Sequence, residues 1–244
     1  FTFIENFKKR EAQIPPLPSK YSLILDDGIG LNKEFENKTE WSQIYIIRNK
    51  RGLGMGMPET GFTIRDCVNL LGVERMVSVI DVYKQQSYQM SLGKFFEKMT
   101  AHVRPRLYNI LSLEFSKTKI DGIVSPPSVV SQLSWVERYW GREGFSEKTN
   151  TPLSMEEHIL AKPEVSRYCL IGMGGSYTDF HVDFGGSSVW YHVFDGQKIF
   201  YVIPPSSTNL KLYASYHQEK NRSEYFFGDK VDKDSLFRVV LKSG

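Results

Sequence analysis

The sequence predicts an α+β fold, in which short strands form a sandwich or barrel and helices pack outside it. After Arg167 the chain contains strand-like runs separated by turn signals: RYCLIG, YTDFHVD, SSVWYHVF, QKIFYVI and LFRVVL. Before Arg167, two segments place apolar residues at helical spacing. At 244 residues, with 41% hydrophobic and 14% aromatic content, the chain is large enough to bury such a core.

The chain is predicted to have two parts, residues 1–40 and residues 41–244. The first is predicted to be a linker with a small appended region, because IPPLPSK favours extended backbone and DDGIGLNKEFENK is polar and turn-rich. The second begins with the strand-like runs QIYIIR and MVSVIDV. Ser91 is predicted to cap one helix, and a second helix is predicted to begin at Ser125-Pro126-Pro127.

The dipeptide Asp195-Gly196 predicts a two-residue type I′ hairpin turn. This turn would pair the strand SSVWYHVF with the strand QKIFYVI, so that Phe194 lies opposite Gln197. Because side chains alternate along strands, Tyr191 and Lys198 are expected on one face of the hairpin, and His192 on the other.

Composition argues against several classes of function. The chain has 31 basic and 28 acidic residues and a net charge of +3, too small to predict nucleic-acid binding. Cys67 and Cys169 lack CxxC spacing, so they are interpreted as buried hydrophobic residues in a reducing compartment, such as cytosol or nucleus. No apolar run approaches the roughly 20 residues of a membrane span. The chain opens at Phe1 rather than Met, so it is predicted to be part of a longer protein.

The stretch DFHVDFGG places His181 and Asp183 two residues apart. On a strand both side chains would project from one face, where they could ligate one ion. A histidine and a carboxylate are two of the three ligands in the facial triad that suits non-haem Fe(II). The alternative is a polar patch with ordinary surface hydrogen bonds. An inward-facing Lys198 is costly unless it meets an anion, to which Tyr191 could donate; the alternative is a lysine that snorkels at a barrel rim.

The stretch YCLIGMGGSYTDFHVDFGGSSVWYHVFDGQKIFYVIPP resembles the JmjC domain of Fe(II)- and 2-oxoglutarate-dependent oxygenases, in particular histone lysine demethylases that carry a PHD finger ahead of it. The resemblance extends through RGLGMGMP, VERMVSVIDVYKQQSYQMSL and EYFFGDKVDK, and SEKTNTPLSMEEHI looks like an insertion. It implies that the barrel is a double-stranded β-helix, the cupin-like jelly roll, flanked by helices. It also implies that the domain is incomplete at the C-terminal end of this chain.

The resemblance implies a role for several residues. It assigns Fe(II) to His181 and Asp183. It places the distal carboxylate of 2-oxoglutarate against Lys198 and Thr178, with Tyr191 as a further contact. Tyr168 resembles a family residue that lines the cosubstrate and methyl-lysine pocket. Thr178 could also be an ordinary strand threonine, and Tyr168 an ordinary core tyrosine.

The family has a third iron ligand, a histidine on a later strand, which is expected beyond Gly244. His192 is the nearest substitute in the chain, but the predicted hairpin points it away from Lys198. His217 lies in the polar stretch SYHQEKNRSE and is expected to be solvated.

The resemblance also implies an activity. The expected enzyme is a 2-oxoglutarate-dependent dioxygenase that removes methyl groups from mono- and dimethylated lysines of the histone H3 tail, with lysines 9 and 27 as leading candidates. It would hydroxylate the N-methyl group, use O2 as cosubstrate and release formaldehyde and succinate. The expected partners are the methylated H3 tail and an upstream PHD finger in the same protein, in the nucleus, without a membrane or sequence-specific DNA. The alternatives are a JmjC protein hydroxylase and a non-catalytic chromatin-binding module.

Overall fold

The computed structural model describes residues 2–37, 41–140, 154, 162–221 and 224–244. The chain divides into two compact units. One consists of Phe1–Gly52 with Thr178–Gly244, and the other of Leu53–Tyr177. Helices and strands occur in both units, so the predicted α+β class is confirmed.

Helices and strands are numbered along the chain. The strands of the described residues are β1 (Ser22–Leu25), β2 (Ile44–Ile47), β3 (Met76–Asp81), β4 (Gln86–Ser91), β5 (Tyr108–Glu114), β6 (Tyr168–Gly172), β7 (Gln197–Val202) and β8 (Phe237–Lys242). The helices are α1 (Thr2–Glu11), α2 (Gly28–Asn37), α3 (Ile64–Leu71), α4 (Leu92–Thr100), α5 (Ser128–Leu133), α6 (Trp135–Tyr139) and α7 (Ser207–Gln218). Short 3₁₀ turns occupy Phe184–Gly186, Phe227–Asp229 and Lys233–Ser235.

The unit Leu53–Tyr177 is built on an antiparallel sheet with the strand order β4-β3-β5-β6. Its core includes Val79 and Ile110 from the sheet, and Leu92 and Phe95 from α4, all at most 1% exposed. The predicted cap of α4 is confirmed, because the Ser91 hydroxyl accepts the Lys94 N–H at 3.3 Å.

Helix α3 begins with a capping box. The Thr63 side chain accepts the Asp66 N–H at 3.4 Å, and the Asp66 carboxylate accepts the Thr63 N–H at 2.8 Å. Both bonds join residues of one helical turn, so a few neighbouring residues determine where the helix begins.

The second predicted helix is divided into α5 and α6. Ser134 ends α5, and its side chain accepts the Glu137 N–H at 3.3 Å, so the same residue caps α6. The prediction of one continuous helix is therefore wrong, because a serine that caps the next turn interrupts the apolar stripe.

The other unit contains two two-stranded sheets, in which β1 pairs with β2 in parallel and β7 pairs with β8 antiparallel. Residues 1–40 contribute α1, β1 and α2 to it. The proline-rich connector lies beside β8: the Leu17 N–H donates to the Arg238 carbonyl at 3.0 Å, and the Arg238 N–H donates to the Pro15 carbonyl at 2.9 Å. The connector is therefore hydrogen-bonded along β8.

The predicted hairpin at Asp195-Gly196 is wrong, and so are the predicted strands YTDFHVD and SSVWYHVF, since residues 173–196 contain no strand. Strand β7 pairs instead with β8, from Gln197 opposite Lys242 to Val202 opposite Phe237. The 195–196 dipeptide lies in a bend, and the Gly196 carbonyl accepts the Ser243 N–H at 3.1 Å. The pairing of six residues of β7 with the distant strand β8 is therefore more favourable than a local turn at Asp195-Gly196.

Strands β2, β3, β6, β7 and β8 confirm the predicted runs QIYIIR, MVSVIDV, RYCLIG, QKIFYVI and LFRVVL. The predicted insertion SEKTNTPLSMEEHI lies outside the described residues, apart from Ser154. None of the helices in the described part of the chain combines the length and apolar character that a bilayer span requires.

Candidate metal centre

The candidate site lies on residues 179–186, named here the site loop. The loop carries no strand and ends in the 3₁₀ turn Phe184–Gly186. Gly185 and Gly186 have φ of 67° and 66°, a region that favours glycine, so the FGG sequence allows the chain to turn directly after Asp183. The Asp183 carbonyl accepts the Gly186 N–H at 2.9 Å and closes this turn.

The structure brings the His181 and Asp183 side chains together. His181 Nδ1 lies 2.9 Å from the Asp179 carbonyl oxygen. A carbonyl oxygen only accepts hydrogen bonds, so this contact places a hydrogen on Nδ1, and in the neutral ring that tautomer leaves the lone pair on Nε2. Nε2 lies 3.6 Å from Asp183 Oδ1, and the two side chains are 58% and 42% exposed. Nε2 of the imidazole therefore faces the carboxylate at the surface.

These two side chains fit a divalent metal ion. Donor atoms that share one octahedral ion at about 2.1 Å each lie about 3 Å apart, so a separation of 3.6 Å needs only a small adjustment. An imidazole with a carboxylate is also the donor pair found in the Fe(II) facial triad. Among the described residues, no group of three or more His, Cys, Asp or Glu side chains is placed to hold one ion.

Asp179 anchors the start of the site loop. One carboxylate oxygen accepts the Tyr216 hydroxyl at 2.8 Å, and the other accepts the main-chain N–H groups of Phe180 at 2.7 Å and Phe227 at 3.2 Å. Burial raises the pKa of Asp179, while the Tyr216 hydroxyl and the two N–H groups act in the opposite direction. This carboxylate therefore joins the loop to α7 and to the turn Phe227–Asp229.

Tyr213, one helical turn before Tyr216 on α7, holds the middle of the loop. Its hydroxyl accepts the N–H of Val182, the residue between the two candidate ligands, at 3.0 Å. Because α7 presents residues three apart on one side, the two tyrosines bind two positions of the same loop. The loop is thus held by hydrogen bonds to two tyrosine side chains of α7, and not by the backbone hydrogen bonds of a β-sheet.

Phe180 adds an apolar anchor next to the polar one. Its ring lies 5.6 Å from the Phe226 ring and 6.2 Å from the Phe227 ring, measured between centroids. A Cβ at Gly228 would come within 2.7 Å of the Phe180 ring, so the close packing here requires glycine. The motif EYFFGDKVDK therefore contributes the surface on which the loop rests.

Sequence reasoning missed Asp179, Tyr213 and Tyr216 as residues of this site. One signal for α7 was available: Ser206 follows a Pro-Pro pair and its hydroxyl caps the helix by accepting the Asn209 N–H at 3.2 Å. No local pattern indicates that the two tyrosines contact a loop some thirty residues earlier.

Lys198, the predicted cosubstrate ligand, lies on β7 and is half-buried. Burial lowers the pKa of Lys198 below its ordinary value. Within the described part of the chain, its ammonium group has no hydrogen-bond or ion-pair partner. Tyr191 packs edge-on against Phe200 of β7, with ring centroids 4.8 Å apart, and Thr178 is exposed.

The remaining predicted residues lie elsewhere. Tyr168 belongs to β6 in the unit Leu53–Tyr177, where burial, followed by the nearby charge of Glu114, raises its pKa. His192 is half-buried, and burial together with the positive charge of Lys50 lowers its pKa. His217 is exposed on α7, in agreement with the expected solvation, and its ring lies 4.4 Å from that of Tyr213.

Comparison with known proteins gives a family match and several similar proteins. Residues 168–242 match the family model described as JmjC domain, hydroxylase. Histone lysine demethylase PHF8 of Danio rerio is 41% identical over 236 residues, or 96% of this chain. Lysine-specific demethylase 7A of Danio rerio is 39% identical over 235 residues, also 96% of the chain. Lysine-specific demethylase 2B of Mus musculus is 40% identical over 221 residues, or 89%.

The chain spans only 21%, 25% and 16% of the lengths of these three relatives. The similarity nevertheless covers both compact units, because it reaches almost the whole chain. The predicted resemblance to JmjC-domain histone lysine demethylases is confirmed, and with it the predicted jelly-roll fold class. Residues 168–242 thus match the JmjC domain family, and nearly the whole chain is similar to these lysine demethylases.

Proposed function

We propose that this chain forms the metal- and cosubstrate-binding part of an Fe(II)- and 2-oxoglutarate-dependent histone lysine demethylase. The observation that carries the proposal is the His181–Asp183 pair: Nε2 and Oδ1 face each other at 3.6 Å, and Nδ1 is already engaged by a carbonyl oxygen. The three relatives reported above, a histone lysine demethylase and two lysine-specific demethylases, support the same activity.

In this proposal His181 Nε2 and the Asp183 carboxylate bind Fe(II). A bound metal would supply, with 2-oxoglutarate and O2, the oxidation that hydroxylates an N-methyl group. The hydroxymethyl group would leave as formaldehyde, and 2-oxoglutarate would be converted to succinate and carbon dioxide. Lys198 and Thr178 bind the distal carboxylate of 2-oxoglutarate, and Tyr191 adds a further contact. Tyr168 lines the pocket for cosubstrate and methyl-lysine. The third metal ligand is proposed to be a histidine beyond Gly244.

The state of Lys198 supports its role. A half-buried ammonium group without a partner among the described residues can take a carboxylate without breaking an existing ion pair. Because the surroundings are partly desolvated, a hydrogen bond between two charged groups is stronger there than in water. An anion at this position would offset the cost of burying the cation.

The proposed substrates are mono- and dimethylated lysines of the histone H3 tail, with lysines 9 and 27 as the leading candidates. The proposed setting is chromatin in the nucleus, where a PHD finger ahead of Phe1 binds the same tail. Residues 1–40 are proposed to connect that finger to a catalytic domain over residues 41–244. The main-chain bonds of Pro15 and Leu17 to Arg238 of β8 would restrict the freedom of this connection.

The direct test is mass spectrometry of mono- and dimethylated H3 tail peptides after incubation of the protein with Fe(II), 2-oxoglutarate and air. We expect stepwise loss of methyl groups that requires 2-oxoglutarate and is absent from His181→Ala and Asp183→Ala. Comparison of peptides methylated at lysine 9 or lysine 27 identifies the preferred position. Turnover that persists in either variant would disprove the assigned metal ligands.

A protein hydroxylase is the second candidate, because the matched family model carries the description hydroxylase. Such an enzyme would use the same metal and cosubstrate residues but leave the oxygen on its product. In the same experiment, a peptide that gains one oxygen would indicate this activity. An unchanged peptide, with metal shown to be bound, would instead favour a non-catalytic chromatin-binding module.

A further inference from the structure

The site loop is connected to α7 by hydrogen bonds at two positions. Tyr216 donates to the Asp179 carboxylate at 2.8 Å, and Tyr213 accepts the Val182 N–H at 3.0 Å. Tyr216 is only 7% exposed, and its ring packs against Phe227 at a centroid distance of 5.2 Å. Tyr216 is therefore held firmly in place, and it restrains the Asp179 carboxylate that it contacts.

The Asp179 residue transmits this restraint to His181. Its carboxylate is bonded to Tyr216 and to the N–H groups of Phe180 and Phe227, while its main-chain carbonyl accepts the hydrogen on His181 Nδ1 at 2.9 Å. A carboxylate and a carbonyl of the same residue are separated by only a few covalent bonds. Restraining one therefore restrains the other.

We infer that Asp179, Tyr216 and Tyr213 are positioning residues for metal binding, which select the His181 tautomer and direct its Nε2 lone pair toward Asp183. The inference rests on the proposed function, since it adds a supporting shell to the proposed ligand pair. A histidine ligand whose other nitrogen is hydrogen-bonded keeps one tautomer and one ring orientation, and loss of such support weakens metal affinity by about 10- to 100-fold.

The molecule offers a matched control for a merely structural effect. In the same unit, the Tyr201 hydroxyl donates to the Glu11 carboxylate, and Tyr201 packs edge-on against Phe7 with centroids 4.8 Å apart. Tyr201→Phe therefore deletes the same kind of tyrosine–carboxylate bond as Tyr216→Phe. It touches neither the site loop nor α7 in the hydrogen bonds of the described residues.

The first readout needs no metal. The ¹⁵N chemical shifts of the His181 imidazole report which nitrogen carries the hydrogen, and the His181→Ala spectrum identifies its signals among the five histidines. We expect the wild-type chain and Tyr201→Phe to show hydrogen on Nδ1. Tyr216→Phe should show a mixture of both tautomers. An unchanged tautomer in Tyr216→Phe would overturn the inference.

The second readout is a titration with Co(II), whose visible absorption reports its coordination. We expect Tyr216→Phe to raise the Co(II) dissociation constant by about tenfold and Tyr213→Phe to raise it by less than tenfold. Tyr201→Phe should leave it unchanged. Equal affinities of Tyr216→Phe and Tyr201→Phe would overturn the inference, even if their melting temperatures fall by the same amount.

The His181→Ala titration separates this inference from the proposed function. If wild-type protein binds Co(II), His181→Ala does not, and Tyr216→Phe equals wild type, the ligand assignment stands and the positioning role is wrong. If His181→Ala binds Co(II) as tightly as wild type does, the ligand assignment is wrong, and the positioning role is rejected with it.

Discussion

Helix α4 and the site loop are held in place in different ways. The cap of α4 joins Ser91 to Lys94, three residues away, and the side chains of the helix enter the core of the unit Leu53–Tyr177. The site loop carries no strand, and the bonds that attach it to other elements join residues 31, 37 and 48 positions apart in the chain: Val182 to Tyr213, Asp179 to Tyr216 and Asp179 to Phe227. Helix α4 is specified locally, whereas the site loop depends on distant partners.

This difference separates stability from function in the molecule. The apolar core around α4 is closed to solvent, so changes there should act on folding. The candidate ligands His181 and Asp183 are exposed, so changes there should act on binding with little effect on folding. The following substitutions test the two sides of this contrast, from the largest expected change in free energy to the smallest.

The largest expected effect is that of Phe95→Ala. Phe95 is 0% exposed in the core of the unit Leu53–Tyr177, and removal of its ring leaves a cavity. We expect the free energy of unfolding, measured by urea denaturation, to fall by about 3–5 kcal/mol. The control is Phe184→Ala in the site loop, where the ring is 68% exposed. Equal losses in the two variants would contradict the contrast.

Lys198→Met should weaken binding of 2-oxoglutarate by about 1.5–3 kcal/mol, or roughly 10- to 100-fold, in calorimetry. Its folded-state pKa is lowered by burial, so the charged form costs stability. This cost is fully present below the folded pKa and disappears as the pH rises past the unfolded pKa. At neutral pH the variant should therefore melt at the same or a higher temperature than wild type.

A matched control for this variant is Lys211→Met, which changes an exposed lysine on α7. We expect it to bind 2-oxoglutarate as wild type does. Binding by wild type should also weaken at alkaline pH before an ordinary lysine would titrate, because the Lys198 pKa is lowered. Unchanged cosubstrate affinity in Lys198→Met would argue against the proposed contact.

Thr63→Ala removes the side-chain half of the capping box of α3 and should lower the free energy of unfolding by about 1 kcal/mol. The hydrogen bonds from Thr63 lower the pKa of Asp66. Asp66 therefore stabilises the fold above its unfolded pKa, near 4, and loses this effect as the pH falls through the lower folded pKa. The stability difference between the two proteins should narrow at low pH, where the Asp66 carboxylate is protonated and only the bond from the Asp66 N–H to the Thr63 hydroxyl remains. A difference that does not change with pH would contradict the contribution of the Asp66 carboxylate.

The smallest expected effect is that of Asp183→Asn on folding. Its side chain is 42% exposed, so the free energy of unfolding should change by less than about 0.5 kcal/mol. Co(II) binding, by contrast, should be lost. A variant that unfolds readily would show that Asp183 has a structural role instead of a ligand role.

Sequence patterns predicted those parts of the fold that depend on neighbouring residues. Short stretches of sequence predicted the cap at Ser91 and the strands β2, β3, β6, β7 and β8. The hairpin at Asp195-Gly196 was wrong, since β7 found its partner in β8, about 40 residues later. The turn signal was strong, but six paired residues on a distant strand contribute more than one favourable turn.

The same division applies to the candidate site. The motif DFHVDFGG identified His181 and Asp183 and, through family resemblance, Lys198 and Thr178. It carried no sign of Tyr213 or Tyr216, because a tyrosine hydroxyl has no characteristic spacing from a loop on another element. The prediction that the ligand pair lies on a strand was also wrong, although the two side chains still face each other.

By itself, the sequence determined the α+β class, the cap of α4, the positions of most strands and the pair of candidate metal ligands. These features follow from periodicity, from side chains that bond within one helical turn and from a motif that places a histidine and an aspartate two residues apart. Only the tertiary structure decided which strand pairs with β7 and how the site loop is held. Those choices depend on contacts between residues 30 to 50 positions apart, whose energies are settled when the chain folds and which no local pattern records.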